Sequence, residues 1–149
     1  MTLSVRTDRR LVRSTAHSER FVLLGVGAPS ARRQPVDRPP VNLAIVLDRS
    51  GSMGAEDKIG LARRAADGAL ESLRDPDRFA LVVYDDRVDV IVESTPASGE
   101  AKRNAHDRLA AVDARGTTDL GGGWLRGAEQ VALNPGSGVD RTLLLTDGL

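Results

Sequence analysis

The residues best placed to do chemistry lie in Asp48-Arg49-Ser50-Gly51-Ser52-Met53-Gly54, where the apolar run Leu43-Ala44-Ile45-Val46-Leu47 stops at an aspartate and gives way to hydroxyls and glycines. A buried strand that ends this way delivers oxygen ligands. A hard cation such as Mg²⁺ takes about six oxygens in near-octahedral array, so one loop cannot complete the shell. Two other segments carry matching groups: Arg115-Gly116-Thr117-Thr118-Asp119-Leu120-Gly121-Gly122-Gly123, and Leu143-Leu144-Leu145-Thr146-Asp147-Gly148. Each also has a plain explanation by itself. Asp and Ser favour turns and helix caps, Thr118 suits the cap of a following helix, and Asp-Gly after a strand is a common turn.

The elements that must position these groups follow from apolar periodicity. Residues 41–47 and 79–84 are continuously apolar apart from Asn42, as expected of strands covered on both faces by helices. Between them Ile59, Ala62, Ala66, Leu70 and Leu73 trace one face of a helix that runs from Glu56 and ends at Arg74-Asp75-Pro76-Asp77. A tight Asp85-Asp86-Arg87 connection leads into Val88, Val90 and Val92, a short antiparallel edge strand. Two helices follow, one after Pro96 with Ala101, Ala105, Leu109 and Val112 on its face, and one with Leu120, Trp124, Ala128 and Val131. The last apolar run, 142–146, ends at Asp147.

This βαββααβ order predicts an α/β fold, an open and mostly parallel sheet with helices on both faces. In such sheets ligands bind outside the carboxyl ends of the strands, which is where Asp48 and Asp147 fall. Residues 1–40 read as a separate N-terminal part. Leu3 and Val5, Leu11 and Val12, and 21–26 form a small β extension, and Pro29, Pro35, Pro39 and Pro40 break the connector 28–40. The main domain then covers 41–149.

Composition excludes several classes. The 149 residues carry 21 basic and 21 acidic side chains, so no net charge drives the chain toward nucleic acid, and aromatics for base stacking stand at 3%. The balance is uneven: eight arginines lie within residues 1–40 against Asp8, Glu19 and Asp37, leaving the remainder mildly acidic. Without cysteine there is neither a disulfide nor a thiolate metal site. The N-terminal stretch has no signal-type apolar core and no run reaches membrane-spanning length, so the sequence as given reads as cytoplasmic. Lys58 and Lys102 lie in no phosphate-binding loop, and Gly51-Ser52-Met53-Gly54 falls one residue short of a nucleophile elbow. His17 and His106 sit where solvated histidines belong rather than catalytic ones.

Taken in order, Asp48-x-Ser50-x-Ser52, Gly116-Thr117-Thr118-x-Leu120 and Leu144-Leu145-Thr146-Asp147-Gly148 resemble the three pieces of a von Willebrand factor type A domain, over roughly residues 41–149. The lead-in Arg38-Pro39-Pro40-Val41-Asn42-Leu43 resembles bacterial members of that family. The resemblance implies a metal-ion-dependent adhesion site: Ser50 and Ser52 on the metal, Thr118 rather than Thr117 direct or through water, and Asp48 and Asp147 mostly through waters. It implies Mg²⁺, with Mn²⁺ or Ca²⁺ as substitutes, and a protein partner whose carboxylate fills the open position. The expected function is therefore non-enzymatic, with an arm of an ATPase- or chelatase-like assembly or a metal-dependent hydrolase as the alternative. It also implies a sheet in which the first and fourth core strands lie side by side. A full domain of this type continues with two further strands, so the resemblance implies a chain cut short at its C-terminus.

Overall fold

The computed structural model describes residues 2–7, 21–27, 38–136 and 138–148. They fall into two compact units, Met1–Asp37 and Arg38–Leu149. In the first, β1 (Thr2–Thr7) pairs antiparallel with β2 (Val22–Gly27), Leu3 opposite Val26 and Val5 opposite Leu24. The strand expected at Leu11 and Val12, His17, and the connector from 28 to 37 lie outside the described residues.

The second unit is built on β3 (Val41–Asp48), α1 (Lys58–Glu71), β4 (Arg78–Tyr84), β5 (Val88–Pro96), α2 (Gly99–Ala110), α3 (Leu120–Ala132) and β6 (Val139–Leu145). The sheet order is β5-β4-β3-β6, with β3 parallel to both β4 and β6 and β5 antiparallel at the edge. Register sets the site: Leu47 pairs with Val83 and with Leu145, and Asp48 with Tyr84. The strands therefore reach their carboxyl ends at one level. On one face Ile45, Leu47, Phe79, Leu81 and Val83 pack with Ala62, Ala66 and Leu70 of α1 and with Ala105 and Leu109 of α2. On the other, Val46, Val82 and Tyr84 pack with Leu144. Burial from both sides is the reason the strands are continuously apolar.

Two details correct the sequence reading. The edge strand is not short: β5 runs nine residues to Pro96. An irregularity between Phe79 and Leu81 lets it resume opposite Phe79 and Arg78. Proline is tolerated at such an edge because it has no ladder donor to lose. In α3 the face expected to pack, Leu120 and Trp124, is 43% and 44% exposed, and Gly123, Gly127 and Gln130 are buried instead. The helix lies too close for side chains: a Cβ at Gly123 would stand 2.5 Å from Tyr84 Cδ1, and one at Gly127 would overlap Val46.

The amino end of the sheet is fastened by Asp77, which is fully buried. Its carboxylate accepts both guanidinium N–H groups of Arg38 (2.8 and 2.5 Å) and the backbone N–H groups of Val41 (2.8 Å) and Arg74 (2.6 Å). The Arg38 guanidinium, helped by the Arg74 and Val41 N–H groups and opposed by burial, holds the Asp77 carboxyl well below the usual carboxylate range.

Candidate functional site

At the carboxyl end of β3, Asp48 is fully buried. One oxygen, Oδ1, accepts the Ser50 backbone N–H at 2.8 Å, which bends the chain sharply out of the strand. The other, Oδ2, accepts hydroxyl bonds from Thr146 at 2.8 Å and Tyr84 at 3.2 Å. The turn places the Ser50 and Ser52 hydroxyls 3.1 Å apart. Ser52 in turn donates to Asp147 Oδ1 at 3.3 Å, and Lys58 Nζ donates to Asp147 Oδ2 at 2.8 Å. Four of the five residues expected to form the site thus lie on one hydrogen-bonded string of oxygens.

The fifth, Thr118, sits on a loop stitched by backbone bonds to the loops after β3 and β4. Gly51 N–H donates to Gly116 O (3.1 Å), Arg115 N–H to Arg49 O (2.7 Å) and Asp119 N–H to Asp85 O (2.7 Å). Gly116 takes φ +68°, where a side chain would be strained and would also strike Asp86. The cap of α3 is Asp119 rather than Thr118, and it accepts the Gly122 N–H at 2.9 Å. The Thr118 hydroxyl is left exposed, with no hydrogen bond to a described residue, and the structure does not join it to the other four.

Arg49 turns into the protein and is 8% exposed. Its Nε donates to Asp85 Oδ2 (3.0 Å) and its Nη2 to Asp89 (2.5 Å), while Arg115 Nε reaches the same Asp85 oxygen at 2.7 Å. Burial pushes the Asp85 carboxyl up, but Arg115, the Arg87 N–H and Arg49 outweigh it and hold it at about 2. The ionised Asp85 therefore clasps the loops after β3, β4 and α2 together. In the sequence Asp85 reads only as part of a turn; the two arginines, Arg49 and Arg115, flanking the acids Asp85 and Asp89 were the available signal.

Tyr84 packs in the core and also serves the site. Burial foremost, with the nearby charges of Asp48 and Asp147, pushes its hydroxyl up to about 12. It stays protonated at neutral pH and remains a donor to Asp48. His106 lies elsewhere, its Nδ1 3.2 Å from Asp67.

The donor set is entirely oxygen: two carboxylates and hydroxyls, chemistry suited to a hard cation rather than a thiophilic one. Among the described residues no cluster of three or more His, Cys, Asp or Glu side chains is arranged to hold a metal, so hydroxyls must supply much of any shell here.

The family model for the von Willebrand factor type A domain matches residues 43–149. Protein sll0103 of Synechocystis sp. is 32% identical over 137 residues, which cover 84% of this chain and 32% of that protein. YfbK of Escherichia coli is 32% identical over 133 residues, covering 88% of this chain and 23% of YfbK. The chain thus spans a third or less of these relatives' lengths. Among solved structures, the von Willebrand domain of the type V pili tip protein Mfa5 from Porphyromonas gingivalis aligns with a TM-score of 0.65 at 20% identity, over 75% of this chain and 39% of that one. The pilus adhesin SpaC from Lactobacillus rhamnosus GG gives 0.65 at 21%, over 76% and 15%. A von Willebrand factor type A protein from Catenulispora acidiphila gives 0.61 at 24%, over 70% and 25%. Among the described residues no helix is long and apolar enough to cross a membrane.

Proposed function

The chain belongs to the von Willebrand factor type A family, and on that premise we propose that it is a divalent-cation-dependent protein-binding module, not an enzyme. One observation carries the reading: the string Asp48, Ser50, Ser52, Asp147 assembled at the carboxyl ends of two adjacent parallel strands.

The residues present fit such an ion. Ser50 and Ser52 offer hydroxyl lone pairs, and Thr118, whose hydroxyl is uncommitted, offers a third. Asp48 has three protein donors on its carboxylate, so it orients the serine loop and meets the ion through water. Asp147 balances charge from the neighbouring strand. Three neutral hydroxyls and two carboxylates match a divalent charge without excess, which leaves Mg²⁺ or Mn²⁺ electrophilic toward one more anionic oxygen. A carboxylate of a protein partner supplies it. The likeness to the pilus adhesin SpaC and the pilus tip protein Mfa5 supports a role in protein contact.

The test is a Mn²⁺ titration followed by calorimetry and thermal unfolding, repeated with Ser52→Ala, and then binding of a glutamate-bearing probe peptide. Mn²⁺ is expected to bind and raise the unfolding midpoint of the wild type but not of Ser52→Ala. Peptide binding is expected only with the ion present. Peptide affinity unchanged in EDTA would end the proposal.

A further inference from the structure

Asp147 is met by a positive charge of the protein's own. The Lys58 ammonium lies 2.8 Å from Asp147 Oδ2, with the two side chains 27% and 9% exposed. Lys58 makes no other ion pair among the described residues, and its neighbour Asp57 pairs with Arg64 at 3.0 Å. The lysine's charge is thus directed at the site alone. It differs in kind from the cations at the other buried carboxylates, since Asp77 and Asp85 are held by arginine guanidiniums. A guanidinium fork is rigid and directional, whereas an ammonium on a four-carbon stem is a compact charge that can swing away at small cost.

We propose that Lys58 is the site's resident counter-cation: it neutralises Asp147 when no divalent ion is bound, yields the carboxylate when one arrives, and thereby sets the site's cation affinity. The inference rests on the cation-binding reading above. Exchange replaces a single charge by a double one at the same carboxylate. The lysine therefore opposes binding twice, by occupying Oδ2 and by repelling the ion from a few ångströms away. It also offsets part of the negative charge that Asp147 brings beside Asp48 in the empty site.

The effect has opposite signs in the two states, which a merely structural lysine would not produce. In Lys58→Met, Mn²⁺ should bind roughly tenfold more tightly by calorimetry. The unfolding midpoint in EDTA should fall below that of the wild type, and the gap should narrow or reverse at saturating Mn²⁺. Lys58→Arg, which keeps the charge in a fork that yields less easily, should bind Mn²⁺ no more tightly than the wild type. If Lys58→Met does not fold, Lys58→Gln is held to the same criteria. Mn²⁺ affinity unchanged or weakened in the neutral variant, with the wild type binding normally, overturns this proposal and leaves the cation site standing. A wild type that binds no Mn²⁺ overturns both.

Discussion

The two ends of the sheet treat buried carboxylates differently. At the amino end Asp77 receives four N–H donors, two from Arg38 and two from the backbone, and every strong lone-pair direction is used. At the carboxyl end, among the described residues, Asp48 and Asp147 are approached by the hydroxyls of Tyr84, Thr146 and Ser52, by the Ser50 backbone N–H and by Lys58. An N–H spends its whole capacity on the carboxylate. A hydroxyl that donates its proton keeps two lone pairs, so the same contact that steadies the acid offers an oxygen to something else. One end is closed chemistry that fastens the fold; the other is a surface of acceptors.

That contrast can be broken most forcefully at its closed end. Asp77→Ala strands Arg38 and two backbone donors, and should cost about 3 kcal/mol in denaturant unfolding while leaving Mn²⁺ affinity unchanged. The acid limb follows from the same group. Because the folded-state carboxyl of Asp77 lies below its unfolded value of about 4, its contribution is fully present above that pH and is lost as pH falls through the folded-state value. Asp85, held at about 2, acts in the same direction between about pH 4 and 2. Asp77→Asn should therefore flatten the fall in stability on acidification, as read by unfolding midpoints across pH.

Between the two ends lies Gly127, where a methyl group must displace Val46 or Thr142. Gly127→Ala should destabilise by about 1–3 kcal/mol, with Mn²⁺ affinity preserved as long as the domain is folded. The smallest change in stability belongs to the open end. Thr118→Val should shift unfolding in EDTA by less than about 0.5 kcal/mol, since its hydroxyl bonds to no described residue. It should weaken Mn²⁺ binding by roughly tenfold. An equal affinity would remove Thr118 from the site and leave the other four.

The sheet and the oxygen string were legible because their signals are local. A continuous apolar run marks a strand and its terminal aspartate marks the carboxyl end, as at Leu47-Asp48 of the buried β3 and at Leu145-Thr146-Asp147 after the half-exposed β6. What escaped depends on distance or on absence. Arg49 turns inward because Asp85, 36 residues on, is waiting for it. Tyr84 reaches Asp48 only through strand register. The packed face of α3 is Gly123, Gly127 and Gln130, none of which carries weight in a hydrophobic pattern. Asp119 rather than Thr118 caps α3 by accepting the Gly122 N–H, which leaves the Thr118 hydroxyl uncommitted.

The glycine seat of α3 has a mechanical consequence. With backbone resting on Tyr84 and Val46, the helix has no side chains of its own at those two points to rotate or compress. A force pulling on the loop that begins α3 would pass into β3 and β4 through stiff contact, with little give at the joint. The helix behaves as a strut, and a load applied at the carboxyl end of the sheet is carried by the strands rather than by the loop that receives it.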